Sequence, residues 1–128
     1  MNAAPPAPPL TVVAVIQDLM LLSRIDAAAT AAGATLRRVD APTEVGEADL
    51  VLVDWSERGS DWAEALTVLR DAGTRVVLFG RHTDLEAHRA AKSAGLGPMW
   101  ARSKLVAELS RLCGRHREGA AEPHIGAR

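Results

Sequence analysis

Apolar positions fall into short unbroken runs separated by stretches with a helical period. Residues 10–16 (LTVVAVI) form a continuous β-branched run, the pattern of a strand buried on both faces. Over residues 20–32, Leu21, Leu22, Ile25, Ala28, Ala29 and Ala32 share one helical stripe, and Gly33 stands where a helix stops. Residues 35–39 (TLRRV) predict a weaker strand, and residues 50–53 (LVLV) a fully apolar one that ends in Asp54. Ser60 is placed to cap a helix over 61–72, with Trp62, Ala65, Leu66 and Leu69 inward and Gly73 as its stop. Residues 75–79 (RVVLF) predict the next strand. Thr83 and Glu86 have capping-box spacing, opening a helix to Ala94 that Gly95 closes. Residues 99–101 predict a short last strand. Ser103 then caps a helix through Cys113, with Leu105, Val106, Leu109 and Leu112 on one face and Gly114 after it.

Strands without polar alternation, separated by helices, imply a parallel sheet covered on both faces. With right-handed crossovers this becomes a three-layer α/β/α sandwich around a five-stranded parallel sheet. One connection is thin: only residues 40–49 (DAPTEVGEAD) join the second and third strands, fewer than a helical crossover needs. The second crossover helix is therefore expected to be shortened or missing. Four of the seven prolines lie in residues 1–9, which read as a disordered lead-in, and the polar residues 115–128 read as a disordered tail. The folded unit expected is residues 10–114.

Composition narrows the function without naming it. The chain of 128 residues has the length of one domain, and 48% hydrophobic residues exclude wholesale disorder. A net charge of -1 argues against a nucleic-acid partner. No run approaches the roughly 18 apolar residues of a membrane span, and no signal peptide is visible. The single Cys113 excludes an intrachain disulfide framework. A cytoplasmic location is the expectation.

In sheets of this kind ligands bind beyond the carboxyl ends of the strands, where strand order reverses. Gln17, Asp18, Asp54, Trp55, Ser56, Gly80, Arg81, His82, Ala101, Arg102 and Ser103 fall there. Asp54 is the sharpest candidate, since a carboxylate ending an apolar strand is desolvated on one side and presented at the rim on the other. Asp18 belongs on the neighbouring central strand. Two readings of this acidic pocket stand: a site for a hard cation such as Mg²⁺, or two caps of the segments that follow.

At these residues the chain resembles a known family. VVAVIQDL, ADLVLVDW, TRVVLFG and AKSAGLGPMWARSKLVAEL resemble a response-regulator receiver domain of the CheY-like, flavodoxin-like fold, over residues 10–113. The resemblance implies Asp54 as phosphoacceptor and Mg²⁺ held by Asp54 with an acidic pair after the first strand. Here that pair reads Gln17-Asp18. It implies a Ser or Thr after the fourth strand, where Gly80 stands, and a Lys after the fifth, where Ala101 or, shifted by one, Arg102 stands. Ser103 occupies the place of the usual Pro. The aromatic switch falls near Met99 and Trp100, and Trp100 and Leu105 flank the surface that receivers use for pairing. Losing one carboxylate, the hydroxyl and the ammonium removes most of the charge stabilisation that phosphoryl transfer needs. Arg102 would contact phosphate only by a different approach from Lys.

Other constellations carry less. His82 reads as a solvated loop residue, and its spacing to His88 does not make a metal pair. Cys113, at a predicted helix end, sits against a negative dipole that disfavours a thiolate. No dinucleotide or P-loop motif is present. Leu19–Leu22 is an apolar run that one helix face cannot bury whole. The expectation is an atypical, stand-alone pseudo-receiver in bacterial signalling: not an enzyme, not efficiently phosphorylated, and acting by contact with a histidine kinase or another signalling protein. A homodimer through the last helix is the favoured self-association. Two alternatives stand beside it: a true phosphoacceptor using Asp54 with Mg²⁺, and a small-ligand-binding flavodoxin-like protein using His82, Arg81 and Asp54.

Overall fold

A computed structural model of the chain describes residues 9–121. The elements in order are β1 (Thr11–Val15), α1 (Leu19–Ala31), β2 (Thr35–Val39), β3 (Leu50–Asp54), α2 (Trp62–Asp71), β4 (Arg75–Gly80), α3 (Leu85–Ser93), β5 (Met99–Ala101) and α4 (Arg102–Ala121). All strand pairs are parallel, in the order β2-β1-β3-β4-β5. The order reverses between β1 and β3, so the rim crevice opens beyond Val15 and Asp54. The expected parallel three-layer sandwich is the fold observed.

The unbroken apolar runs are explained by burial on both sheet faces. Val12, Ala14, Ile16, Leu50 and Leu52 face one core with Leu21 and Ile25 of α1 and Leu105, Leu109 and Leu112 of α4. Their neighbours Val13, Val15, Val51 and Val53 face the other, with Trp62 and Leu66 of α2 and Ala87 and Ala91 of α3. Each such aliphatic side chain contributes roughly 1.5–3 kcal/mol when fully buried. β2 lies at the edge, and most of its side chains remain partly exposed.

The second crossover is indeed reduced. Residues Pro42–Glu44 make one 3₁₀ turn, and Val45 plugs the core where a helix would lie. Arg37 donates to the Val45 carbonyl at 2.6 Å, pinning that plug.

Three of the four expected glycine stops hold. After α1 the amides of Gly33 and Ala34 return to the carbonyls of Thr30 and Ala29 at 3.0 and 2.9 Å, and Gly33 has φ +82°, a left-handed conformation open to Gly without steric cost. The ends of α2 at Gly73 and α3 at Gly95 repeat the pattern.

Helix starts differ from expectation. The α3 cap is Asp84, whose carboxylate accepts the Ala87 amide at 3.0 Å, so Thr83 and Glu86 form no capping box. α2 is preceded by Asp61 rather than Ser60, with no side-chain cap. α4 begins at Arg102, directly out of β5, so Ser103 lies inside its first turn. Nor does α4 stop at Gly114, which keeps a negative φ and continues to Ala121. A glycine inside a helix costs only about 1 kcal/mol and does not force an end. Cys113 is thus buried within a helix and not at its terminus. Of the expected lead-in over 1–9 and tail over 115–128, residues 1–8 and 122–128 lie outside the described residues, and 115–121 belong to α4. Among the described residues no helix is long and apolar enough to cross a membrane.

Candidate functional site

Asp54 ends β3 at the carboxyl rim and is 1% exposed, the one charged residue buried among the described residues. Its Oδ2 accepts from Arg102 Nη2 at 2.9 Å. Register explains the reach. Asp54 lies beside Phe79, Phe79 beside Trp100, and Gly80 beside Ala101. Arg102 therefore starts two strands away and must cross the end of β4, where Gly80 presents no side chain. Asp54 Oδ1 and Arg102 Nε are buried without a hydrogen-bond partner. Burial pushes the Asp54 carboxyl above its ordinary value. The Arg102 guanidinium opposes that shift, and the negative charge of Glu57 adds to it.

Asp18 lies at the same rim and caps α1. Its Oδ1 accepts the amides of Met20 and Leu21 at 3.0 and 3.2 Å. Of the two readings of the acidic pocket, the cap is the one Asp18 fulfils. Mg²⁺ requires near-octahedral oxygen ligands. Asp54 offers one free oxygen beside a guanidinium, Asp18 is committed to two amides, and Gln17 is neutral. Among the described residues no three His, Cys, Asp or Glu side chains converge as a metal group. As arranged, these residues do not fit Mg²⁺, and Arg102 stands where a counter-cation would act.

Ser56 lies at the rim where the sequence placed it, but its role there emerges only in the structure. A Cβ built on Gly80 would overlap Ser56 Oγ and come within 2.9 Å of Met99 Sδ. The hydroxyl missing from β4 is thus answered by one from the β3–α2 loop, occupying the space that a side chain at position 80 would need. Ser56 Oγ accepts the Arg81 amide at 2.9 Å. The Arg81 guanidinium meets Glu57 at 3.1 Å and Asp84 at 3.6 Å. The Ala87 amide, assisted by the Ser56 hydroxyl and Arg81, holds the Asp84 carboxyl below its ordinary value. The only sequence signal for Ser56 is a small hydroxyl two residues after the strand-ending Asp, facing a glycine that ends the next strand.

The remaining candidates separate. Leu105 is fully buried against the α1/α4 core, so it serves packing and presents no contact surface. Trp100 is half-buried on that same face, with Lys104 Nζ 4.7 Å from its ring centroid. Its neighbour Met99 is the residue turned toward α3. His82 is exposed, and its carbonyl meets His88 Nε2 at 3.1 Å. Leu21 is buried, while Leu19 and Met20 are 67% and 81% exposed. Met20 lines a cleft of about 440 Å³ together with Asp18, Leu21, Ser23, Arg24 and Arg102. Arg102 therefore covers Asp54 on one side and walls this cleft on the other.

The fold places the chain among solved receiver domains. The receiver domain of a Francisella response regulator superposes with a TM-score of 0.64 at 16% identity, covering 88% of this chain and 99% of that one. The signal receiver domain of a LuxO repressor protein from Vibrio parahaemolyticus gives 0.65 at 14%, covering 91% and 99%. The BeF3-activated receiver domain of Nitrogen Regulatory Protein C gives 0.63 at 22%, covering 85% and 94%. No protein-family model matches the chain, and no curated protein matches it. The likeness establishes a receiver-type, flavodoxin-like fold.

Proposed function

We propose that the protein is a receiver-like signalling module that acts by protein contact and does not accept phosphate efficiently. The carrying observation is the 2.9 Å ion pair between Asp54 and Arg102. It gives the carboxylate an internal cation and occupies one of its two oxygens. Phosphoryl transfer depends on positioning and on charge placed around the equatorial oxygens. Here one metal carboxylate is replaced by Gln17, and Ser56 fills the hydroxyl space beside Gly80. The module is not an enzyme on this reading, and its setting is bacterial and cytoplasmic. Its partner is a histidine kinase or another signalling protein, which Leu19 and Met20 give an apolar foothold beside the rim. A homodimer is the self-association that this reading carries.

The test is incubation with acetyl phosphate and Mg²⁺, followed by intact-mass measurement. The expected result is no accumulating phosphoryl adduct, and rapid stoichiometric labelling of Asp54 overturns the reading. One observation favours the phosphoacceptor alternative: Asp54 Oδ1 has no hydrogen-bond partner. That oxygen would attack a phosphohistidine, forming the O–P bond as the N–P bond breaks and the imidazole leaves. Beryllofluoride with Mg²⁺ separates the two. A shift of tryptophan fluorescence that Asp54→Asn abolishes supports the acceptor, and partner binding that survives Asp54→Asn supports the contact module.

A further inference from the structure

α3 is the most weakly packed helix of the four. It has nine residues and buries only Ala87 and Ala91, whereas α1 buries Leu21, Ile25 and Ala29. Two alanines bury little apolar area, so packing alone holds this helix loosely. Its first turn is held instead by the three residues that follow Asp54. The Trp55 indole N–H donates to the Ala87 carbonyl at 3.0 Å, within the core. Ser56 Oγ accepts the Arg81 amide, and Glu57 pairs with Arg81, which also reaches Asp84, the α3 cap. Residues 55–57 form a single 3₁₀ turn beginning at the residue after Asp54, so turn and carboxylate share one stretch of backbone.

The aromatic of β5 is on the wrong side for this work. Trp100 packs with the α1/α4 core, on the opposite sheet face, and Lys104 covers its ring. What β5 presents toward α3 is the thioether of Met99.

We propose that Trp55 and Ser56 are positioning residues that pass the state of the Asp54 carboxylate to α3, and that Trp100 takes no part in that link. The states concerned are the carboxylate paired with Arg102 and a side chain that has lost that charge. Breaking the pair loosens the 55–57 turn and with it the Trp55–Ala87 and Ser56–Arg81 bonds, and α3 then detaches at its first turn because two alanines do not retain it. This rests on the reading above only in treating Asp54 as the responsive group. Its test uses no phosphoryl donor, so its failure is distinct from a failure of that reading.

The experiment is residue-resolved amide hydrogen exchange on the full chain. Asp54→Asn is expected to raise exchange of the α3 amides from Ala87 to Ala91 several-fold. In a Trp55→Phe, Ser56→Ala background, basal exchange rises and the further increment from Asp54→Asn disappears. In a Trp100→Leu background the increment persists. A merely structural role for Trp55 would raise basal exchange and leave the increment intact. Should the double background not fold, Ser56→Ala alone must reduce the increment and Ser56→Thr must retain it. An unchanged α3 in Asp54→Asn, an increment that survives loss of both Trp55 and Ser56 contacts, or an increment lost with Trp100 overturns the proposal.

Discussion

The two faces of the sheet are closed by different physics. On the α1/α4 side, Leu21, Ile25, Leu105, Leu109 and Leu112 interlock with Val12, Ile16 and Leu52. On the α2/α3 side the sheet meets Trp55, Trp62, Val45, Leu96, fully buried Leu66 of α2 and, from α3, only alanines. There the rim is tied by polar contacts: Trp55 to Ala87, Ser56 to Arg81, and Glu57 to Arg81 to Asp84. Apolar packing is non-directional and insensitive to charge, whereas the polar ties depend on geometry and on protonation. The stable half of the molecule is therefore the α1/α4 face. The half able to respond to Asp54 is the other one, where the contacts are few and oriented.

The largest expected effect breaks the packed face. Leu109→Ala removes a fully buried side chain and leaves a cavity, a change that costs about 3 kcal/mol. Urea unfolding measures it directly. Ser56→Ala, on the polar face, is expected to cost only about 1 kcal/mol, the ordinary net value of one hydrogen bond. Equal losses for the two variants would erase the contrast between the faces.

Next in size is a substitution at the seam between β3 and β4. Gly80→Thr drives a Cβ into Ser56 Oγ and close to Met99 Sδ, and such overpacking costs about 2 kcal/mol. Ser56→Gly in the same chain empties the obstructed space. The double variant is expected to recover more than half of the loss, a coupling that a double-mutant cycle reads as a positive interaction energy. Additive losses would show that Ser56 does not hold the space at position 80.

The same seam shows where sequence reasoning reached and where it stopped. The apolar strands, the parallel order and the reduced second crossover follow from local pattern, because a run such as LVLV admits few other fates. The stops at Gly33, Gly73 and Gly95 were legible because a helix that ends in a left-handed turn favours glycine. Helix starts were displaced: Asp84 rather than Thr83, Arg102 rather than Ser103. Any of several neighbouring polar side chains can cap, and the choice depends on where the chain leaves the strand. The Asp54–Arg102 pair spans 48 residues and was not visible, since the resemblance marked Arg102 only as a candidate contact to phosphate. The role of Ser56 was not visible, since its partner in space is the absence of a side chain at Gly80. The sheet face that Trp100 occupies was not legible, because it is set by strand register, which the three residues of β5 do not reveal by pattern.

A smaller effect tests whether Asp18 belongs to the packed face or to the responsive rim. As a cap it satisfies two α1 amides, and Asp18→Ala is expected to lower stability by about 1 kcal/mol. Asp18→Asn retains an acceptor oxygen and should recover most of that. If the Asn variant is as weak as the Ala variant, the charge matters more than the cap, and the acidic pocket regains its cation-binding reading.

The finest test sets Asp54 against Asp84 by pH. The folded state raises the Asp54 pKa above its ordinary 3.8, so folding favours the protonated form. The stability tied to that proton is fully present below the unfolded value and is lost as pH rises through the folded one. The folded state lowers the Asp84 pKa, so its contribution is present above 3.8 and is lost as pH falls through the folded value. Unfolding free energies of the parent, Asp54→Asn and Asp84→Asn chains, followed from neutral pH into acid, separate the two. Relative to Asp54→Asn, the parent should gain as pH falls toward 3.8, because its buried carboxyl becomes neutral. Relative to Asp84→Asn, the parent should lose as pH falls below 3.8, by an amount kept small by the exposure of that pair. Differences of the same sign would mean that burial does not dominate at Asp54, and that Arg102 holds a carboxylate at ease in its charge rather than one strained by it.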